Sequence, residues 1–564
     1  LGQAYGSKDR KYEWESKIAE RVYQAMLREA KVTVVLGKPI DHVNKRQQRI
    51  ASVRTTDGST YPGRVFIDAS YEGDLLARAG VSYAIGRESR QQYNEPLAGI
   101  RLDPQPVQAP PYDEQGRLLP GVTASISDIG PEGSGDRKVM VYNFRVILQY
   151  VGDANPRPLA RPVQYDPARY RMLAGVLANN PGIQLEDLFY LPARPNGKVE
   201  LNNRQDATVS LGLLGAQHAW PEASHEQRRA IWQEYKDYTL GFLYYLANEP
   251  GVPPQVRQRM RQFALPQDEF SDNDHWPHQI YVREARRMVG EYVLLQRDIQ
   301  DERDKPDSIG LGSHWLDCHH VQRLAVSGSA FRNEGRFWID LKNRPYEIPY
   351  RSLTPKAAEC ENLLVPVCLS ASHVAFSSIR VEEVWMLLGQ AAGTAAALAA
   401  GQDHAVRQVD VEALRTRLRI AGAYVDRRLF EPSSPSGMDP PRPALTEAEP
   451  APGRFVRRQS AEFRGTGVYH GLYLPLDWRP GRTYPVIVEY APNKWEELTG
   501  KVEDCRLGYH LSGGTNFIWV VMPYVHPVAR TNVVWWWGDE DATIDYCLTN
   551  LSRVCERYGG DPNA

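Results

Sequence analysis

Hydrophobic residues recur with a helical period in two parts of the chain. Near the start, Ile18, Val22 and Met26 are four residues apart, which predicts an amphipathic helix over residues 16–30. Much later, a run of apolar and small residues predicts a longer helix over residues 382–400. An apolar face of this kind packs against other elements of a folded domain.

Shorter apolar runs, separated by turn residues, predict strands. Residues 31–36 form one continuous run and predict a short buried strand. Residues 49–54 and 60–68 predict two more strands on either side of the Asp-Gly turn at 57–58. The alternation of helix and strand patterns is typical of an α/β domain.

The third of these strands ends in a segment with candidate chemistry. Asp68 closes the strand, and a helix pattern begins at residues 71–74. This strand–turn–helix order is common in nucleotide-binding α/β domains. Gly73 permits close approach of the backbone, and Asp74 can cap the helix. An ordinary capped turn is the alternative interpretation.

The middle of the chain lacks this α/β rhythm. Residues 90–278 contain a proline-rich stretch at 104–111 and long aromatic helix patterns such as 232–246. We interpret them as an inserted substrate or cap domain. The α/β domain is then split into residues 1–89 and 279–430.

The composition changes again after residue 430. Residues 431–453 are rich in proline and serine and predict a linker. Residues 454–564 show three strand patterns and then a helix over 540–558. This part resembles the first half of an α/β-hydrolase of the esterase or depolymerase type. Such enzymes carry their nucleophile in a GxSxG turn, which is expected beyond residue 564, so no catalytic residue is assigned here.

Bulk properties exclude several function classes. The 564 residues suffice for several domains, and the net charge of -2 does not favour nucleic acid or an anionic membrane as a partner. The six cysteines form no CxxC pair and no metal-binding spacing, and they are interpreted as structural. A mean hydropathy of -0.49 and a short apolar run argue against a membrane span. The chain begins in the middle of a pattern, so targeting signals could precede it and localisation stays open.

The helix over 382–400 carries two glycines one turn apart, Gly389 and Gly393. Glycine inside a helix costs about 1 kcal/mol relative to alanine, so a pair on one face indicates close approach of a flat group or of another backbone. The start of the helix bears a partial positive charge that can hold an electron-rich group. A plain buried helix is the alternative.

This helix, with the segment before it, resembles the C-terminal flavin helix of the FAD-dependent oxidoreductase family, which is related to the glutathione-reductase and fumarate-reductase flavoproteins. Other segments are similar to the same family, in matching order, along about residues 1–420. The segments are 66–81 (FIDASYEGDLLARAGV), 142–145 (YNFR), 275–288 (HWPHQIYVREARRM), 307–313 (DSIGLGS), 348–353 (IPYRSL) and 377–401 (SSIRVEEVWMLLGQAAGTAAALAAG). The resemblance implies an α/β fold with an FAD/NAD(P)-binding Rossmann-like domain, and FAD as the cofactor.

The chain departs from the family in one respect. The family binds the ADP part of FAD with GxGxxG after its first strand and an acidic residue at the end of the second. Neither is found here, and Gly133 and Gly135 lie in a predicted loop. We expect these elements to precede Leu1, which makes the Rossmann-like domain N-terminally truncated and its cofactor site partial.

The resemblance also implies roles for individual residues. His373 could move the proton that accompanies hydride transfer, because histidine titrates near neutral pH. Arg283, on a predicted helix with Arg287, is the candidate anchor for an anion or carbonyl group. His275 and His278 are a weak metal signal, and no metal is predicted. The predicted FAD contacts are Val34, Asp68, Ala69, Tyr71, Gly73, Asp74, Ser378, Ile379, Arg380 and Gln390.

Purely structural roles are the alternatives to these functional ones. His373 could be a satisfied structural histidine, and Arg380 a solvated cation. The predicted function is hydride transfer between FAD and a small organic molecule, with an unknown electron acceptor. An esterase-type hydrolase with an accessory flavoprotein-like region, or a non-catalytic binding protein, are the alternatives.

Overall fold

The computed structural model describes residue 5 and residues 14–204, 206–342, 344–429, 442–494, 498–534 and 538–561. The chain forms two compact units, one within residues 1–431 and one within 432–564. The division falls at the start of the proline-rich stretch 431–453. Residues 430–441, which are the start of this stretch and the residue before it, lie outside the described residues.

The first unit mixes helices with short strands. Its α-helices are α1 (Ser16–Glu29), α2 (Asp74–Arg78), α3 (Arg90–Tyr93), α4 (Arg171–Ala178), α5 (His225–Asn248), α6 (Pro254–Arg261), α7 (Gln296–Gln300), α8 (His373–Ile379), α9 (Glu382–Gln402) and α10 (Val411–Ile420). Its strands are β1 (Ile40–Arg46), β2 (Arg49–Thr55), β3 (Thr60–Pro62), β4 (Phe66–Ile67), β5 (Tyr83–Ile85), β6 (Ala124–Ser125), β7 (Val146–Tyr150), β8 (Phe189–Tyr190), β9 (Ala193–Arg194), β10 (Lys198–Asn203), β11 (Phe263–Ala264), β12 (Arg286–Met288), β13 (Ser308–Gly312), β14 (Leu316–Cys318), β15 (Gln322–Ser327), β16 (Ala330–Glu334), β17 (Phe337–Ile339), β18 (Tyr346–Pro349) and β19 (Leu363–Leu364).

The start of the chain matches the sequence prediction in part. Helix α1 is confirmed, and β1, β2 and β3 form an antiparallel meander around the predicted turn. The predicted strand over residues 31–36 is wrong, because these residues are coil. Within the described part of the chain no strand pairs with them, and Leu36 is 82% exposed. An apolar run becomes a strand only where a neighbour satisfies its backbone groups.

One hydrophobic core of the first unit draws most of its residues from 90–278 and includes Ile85, Ala325 and Phe331 from outside that range. Helices α4 and α5 pack there with β7 and β10, around aromatic side chains such as Phe144 and Phe242. The ends of this region are close in space, since β5 pairs antiparallel with β12. The two ends of this region therefore meet at adjacent strands, and its assignment as an inserted domain stays a prediction.

Helix α9 confirms the predicted helix and belongs to a second core. Leu388, Ala391 and Ala395 on its inner face are fully buried. By length and composition α9 could cross a membrane, although its inner face packs inside the unit. Gly389 and Gly393 lie on the other side, where an added Cβ would meet no described atom within 4 Å. The close approach predicted for these glycines is therefore not made by the described part of the protein.

The second unit contains a five-stranded mixed sheet and a separate pair of antiparallel strands. Its strands are β20 (Phe455–Arg458), β21 (His470–Tyr473), β22 (Tyr484–Tyr490), β23 (Ile518–Met522), β24 (Tyr524–His526), β25 (Thr531–Val533) and β26 (Gly560–Asp561), and its helices are α11 (Leu507–Ser512) and α12 (Glu540–Tyr558). The sheet order is β20-β21-β23-β22-β26. The three predicted strands and the predicted helix are confirmed. The likeness to a hydrolase stays a prediction.

Candidate functional site

The junction of α8 and α9 fixes a buried arginine. Ser372 begins α8 by accepting the backbone N–H of Ala375 at 3.1 Å, a common N-terminal cap. Arg380 follows α8 and is 2% exposed. Its Nη2 donates to the carbonyl of Asp317 at 2.8 Å and lies 3.1 Å from the Asp317 carboxylate. Arg380 is thus a paired, buried cation and not a solvated one.

Three arginines surround the Tyr281 ring, and we call Arg145, Arg283 and Arg380 the arginine cluster. The guanidinium carbons of Arg145 and Arg283 lie 5.1 and 4.8 Å from the ring centroid. Arg380 Nη1 is 3.5 Å from the Tyr281 hydroxyl. Cations over an aromatic face are attracted by its electron density, so Tyr281 holds the cluster together.

The predicted helix around residues 281–287 is wrong. The chain is extended there, and β12 begins at Arg286. Tyr281 N–H donates to the carbonyl of Asn143 at 2.9 Å, which places this segment beside the one that carries Arg145. Arg287 pairs with Glu88 at 2.7 Å and Glu284 at 2.9 Å. Tertiary pairing therefore replaces the helix that the spacing favoured.

Arg283 is the least satisfied cation of the cluster. Its side chain is buried, and Nη1 donates to the carbonyl of Val141 at 2.6 Å. Its Nε and Nη2 have no hydrogen-bond partner among the described residues. Burial and the charge of Arg380 lower the pKa of Arg283 to about 9. Because burial and a neighbouring positive charge both disfavour the charged guanidinium group, a negative charge added beside this side chain would stabilise it.

Carboxylates balance only part of the cluster. Arg145 forms an ion pair with Glu200, and Arg194 shares that carboxylate at 2.7 Å. Burial and the nearby Arg283 lower the pKa of His319 well below its usual value, so this ring is neutral. Glu382 also faces Tyr281, and burial raises the pKa of its carboxyl group. Among the described residues, Arg145 and Arg380 thus have carboxylate partners, whereas Nε and Nη2 of Arg283 have none.

His373 lies at the start of α8 in a buried network. Its Nδ1 is 2.9 Å from Glu284 Oε1, and its Nε2 is 3.3 Å from Cys318 Sγ. Burial opposes the charged ring, but Glu284 and then Cys318 raise the pKa of His373 to about 10. The ring is protonated at neutral pH, contrary to the near-neutral titration assumed from its residue type. Its catalytic role stays a prediction.

Several predicted cofactor contacts hold the β4–α2 turn. Asp68 Oδ2 accepts the N–H of Leu76 at 2.8 Å, and Oδ1 accepts the N–H of Ser70 at 3.1 Å. Gly73 has φ +70°, and a Cβ there would lie 3.1 Å from Cys368 Sγ. Asp74 does not cap α2 with its side chain, because the N-cap is Gly73.

Asp74 instead joins two arginines. Its carboxylate lies 2.6 Å from Arg228 and 2.8 Å from Arg286. Although burial alone would raise its pKa, Arg228 and Arg286 lower the pKa of Asp74 to about 2. This carboxylate ties the turn to α5 and β12.

The remaining predicted contacts are divided between the core and the surface. Tyr71 packs edge-on against Trp385 of α9, with ring centroids 5.2 Å apart. Ser378 and Ile379 are fully buried, and the Ser378 hydroxyl bonds to Tyr346 at 2.8 Å. The exposed predicted contacts are Val34, Ala69 and Gln390. Of the predicted site residues, the structure brings Arg380 and Arg283 together at Tyr281.

Sequence reasoning did not single out Tyr281, Cys318 or His319. Cys318 is 55 residues from His373 in sequence, so no spacing motif joins the two. The only available signal was that Arg145 and Tyr281 both occur in the family-like segments.

Within the described residues, no group of three or more His, Cys, Asp or Glu side chains could hold a metal ion. His278 instead lies 3.1 Å from Asp272, and His275 Nδ1 lies 3.2 Å from the carbonyl of Glu269.

Comparison with known proteins gives one match. A family model described as FAD dependent oxidoreductase matches residues 2–418. No curated protein and no solved structure matches the chain. The matched region contains the whole arginine cluster and the His373 network.

Proposed function

The chain belongs to the FAD-dependent oxidoreductase family, and on that premise we propose that it exchanges a hydride between FAD and an organic substrate held at the arginine cluster. The family implies FAD as the cofactor and a Rossmann-like α/β fold. The single observation that carries the proposal is the buried, unpartnered Nε and Nη2 edge of Arg283 beside Arg380. Such donors are expected where a ligand binds.

The residues present fit the flavin end of FAD. The reduced flavin is electron-rich at its pyrimidine edge, and Arg380 with the first N–H groups of α9 offers positive charge and donors. The open face of α9 at Gly389 and Gly393 leaves room for a flat group. Because the chain has no GxGxxG sequence, no residue is assigned to the ADP end.

Bound FAD would accept or donate the hydride, and the chain's own residues bind, orient and hold a proton. Arg283 would orient the substrate through its free edge. His373 would hold a proton at Nε2, which faces Cys318 Sγ at 3.3 Å. Glu284 fixes the ring through Nδ1, so the charge and direction of His373 are set before a substrate binds.

The proposal is tested by flavin absorbance and rapid mixing. The purified chain is loaded with FAD and mixed anaerobically with alcohols, amines and hydroxy acids as hydride donors. We expect bleaching of the flavin by at least one donor class. Arg283→Met should slow bleaching per bound flavin by about 10²-fold or more, because the anchor acts on substrate orientation.

Arg323→Met is the matched control, since Arg323 is equally buried but its Nε donates to Asn333 at 2.7 Å. Equal rates for the two variants, or flavin that no donor reduces, would contradict the proposal. Bound flavin that no donor reduces would favour a non-catalytic binding protein.

A further inference from the structure

Arg283 presents one complete edge of its guanidinium group to the site. Since Nη1 is occupied by the carbonyl of Val141, the free nitrogens are Nε and Nη2. These two nitrogens lie on the same side of the planar group and donate in parallel. Two parallel N–H donors match the two oxygens of a carboxylate, which is the bidentate geometry that arginine favours.

The neighbours of this edge favour a negative ligand. Arg380 already has Asp317 as its partner, and Arg145 has Glu200. Among the described residues, no carboxylate is hydrogen-bonded to Nε or Nη2 of Arg283. A buried charge without a partner is costly, so a ligand anion would stabilise the site more than a neutral ligand would.

The cluster also has a side open to solvent. The Arg145 side chain is 36% exposed, whereas Arg283 is 1% exposed. Both guanidinium groups contact the Tyr281 ring, so the solvent-facing Arg145 and the buried Arg283 are neighbours in one cluster.

We infer that the arginine cluster binds a carboxylate group of the substrate, with Arg283 as its bidentate anchor and Arg145 on the solvent-facing side. This inference rests on the proposed function in one respect, which is that the bound carboxylate belongs to the substrate. An anionic reduced flavin and inorganic phosphate also present paired oxygen or nitrogen acceptors, so the test separates these sources.

Binding is measured by calorimetric titration of the chain, with and without bound FAD, at constant ionic strength. The probes are acetate, malonate, inorganic phosphate and the neutral isostere acetamide. We expect the carboxylates to bind and acetamide not to bind. Arg283→Lys keeps the charge but loses the fork, and should weaken carboxylate binding by about 10- to 100-fold. Arg323→Lys should leave it unchanged.

Each other outcome decides against one source. Tighter binding of phosphate than of acetate or malonate would overturn the carboxylate assignment. If carboxylates do not bind, and Arg283→Lys changes only the flavin midpoint potential or the FAD affinity, then the Arg283 edge serves the cofactor. If that variant does not fold, equal binding of acetate and acetamide by the unmodified chain overturns the inference. Carboxylate binding without any flavin reduction would refute the proposed function alone.

Discussion

His373 is held between two buried groups, the Glu284 carboxylate at 2.9 Å and the Cys318 thiol at 3.3 Å. A second carboxylate, that of Glu88, accepts its backbone N–H at 2.9 Å. The ring is therefore charged in the folded chain, although its residue type alone predicts titration near neutral pH. At the residue scale, the partners decide the protonation state and the composition does not.

The charge of His373 should make stability depend on pH. Its folded pKa of about 10 lies above the ordinary value of 6.5, so the charged ring stabilises the fold fully below pH 6.5. That contribution is lost as pH rises through about 10. We expect the difference in unfolding free energy between the unmodified chain and His373→Gln to be largest near pH 6 and to shrink toward pH 10, as measured by urea denaturation.

Glu284→Gln provides the control, because it removes the carboxylate that raises the pKa while keeping the shape of the side chain. It should flatten the same pH dependence. A stability difference that grows with rising pH would show that the ring is neutral in the folded chain.

At the scale of elements, α9 has a packed face and an open face. Ala391 and Ala395 are buried, while Gly393 meets no described atom where a Cβ would be. Intrinsic helix propensity therefore decides the effect of a small side chain at Gly393 when no cofactor covers that face.

Gly393→Ala should stabilise the FAD-free chain by about 0.5–1 kcal/mol, since alanine is the better helix former. Thermal denaturation measures the change. Gly241→Ala is the matched control in α5, where a new Cβ would meet the buried Tyr170 hydroxyl at 2.1 Å and should destabilise the chain.

Gly393→Leu should weaken FAD binding more than Gly401→Leu does, if the flavin lies on the open face. Equal FAD affinity of both leucine variants would place the cofactor elsewhere.

At the scale of the whole molecule, each unit has hydrophobic cores of its own. Phe144 and Leu388 lie in two cores of the first unit, and Val520 and Trp519 lie in two cores of the second. The family match ends at residue 418, inside the first unit. Ligands of the flavoprotein region should therefore act on the stability of the first unit.

Calorimetry should resolve two unfolding transitions, of which FAD raises only one. Saturation at 100 times the dissociation constant stabilises the binding unit by about 2.7 kcal/mol. Trp519→Ala removes a fully buried ring and should lower the other transition, with a cost of about 3–5 kcal/mol. A single transition that responds to both changes would show that the units unfold together.

The sequence by itself determined the elements whose residues make their own pattern. Helices α1, α9 and α12 follow from local periodicity, and the strands β22 and β23 from short β-branched runs. The family also followed from segments of sequence, because their order along the chain is visible without coordinates. These features depend on neighbours in the chain, which a sequence displays directly.

Only the tertiary structure decided the chemistry of the site. Residues 31–36 lack a strand partner, and residues around Tyr281 are extended because they pair with the segment at Asn143. Arg145, Arg283 and Arg380 come from three distant segments and meet at one ring. The ion pairs and the burial of these three side chains decide which guanidinium group keeps nitrogens without a partner. Those quantities depend on distances between residues far apart in sequence, and local patterns do not contain them.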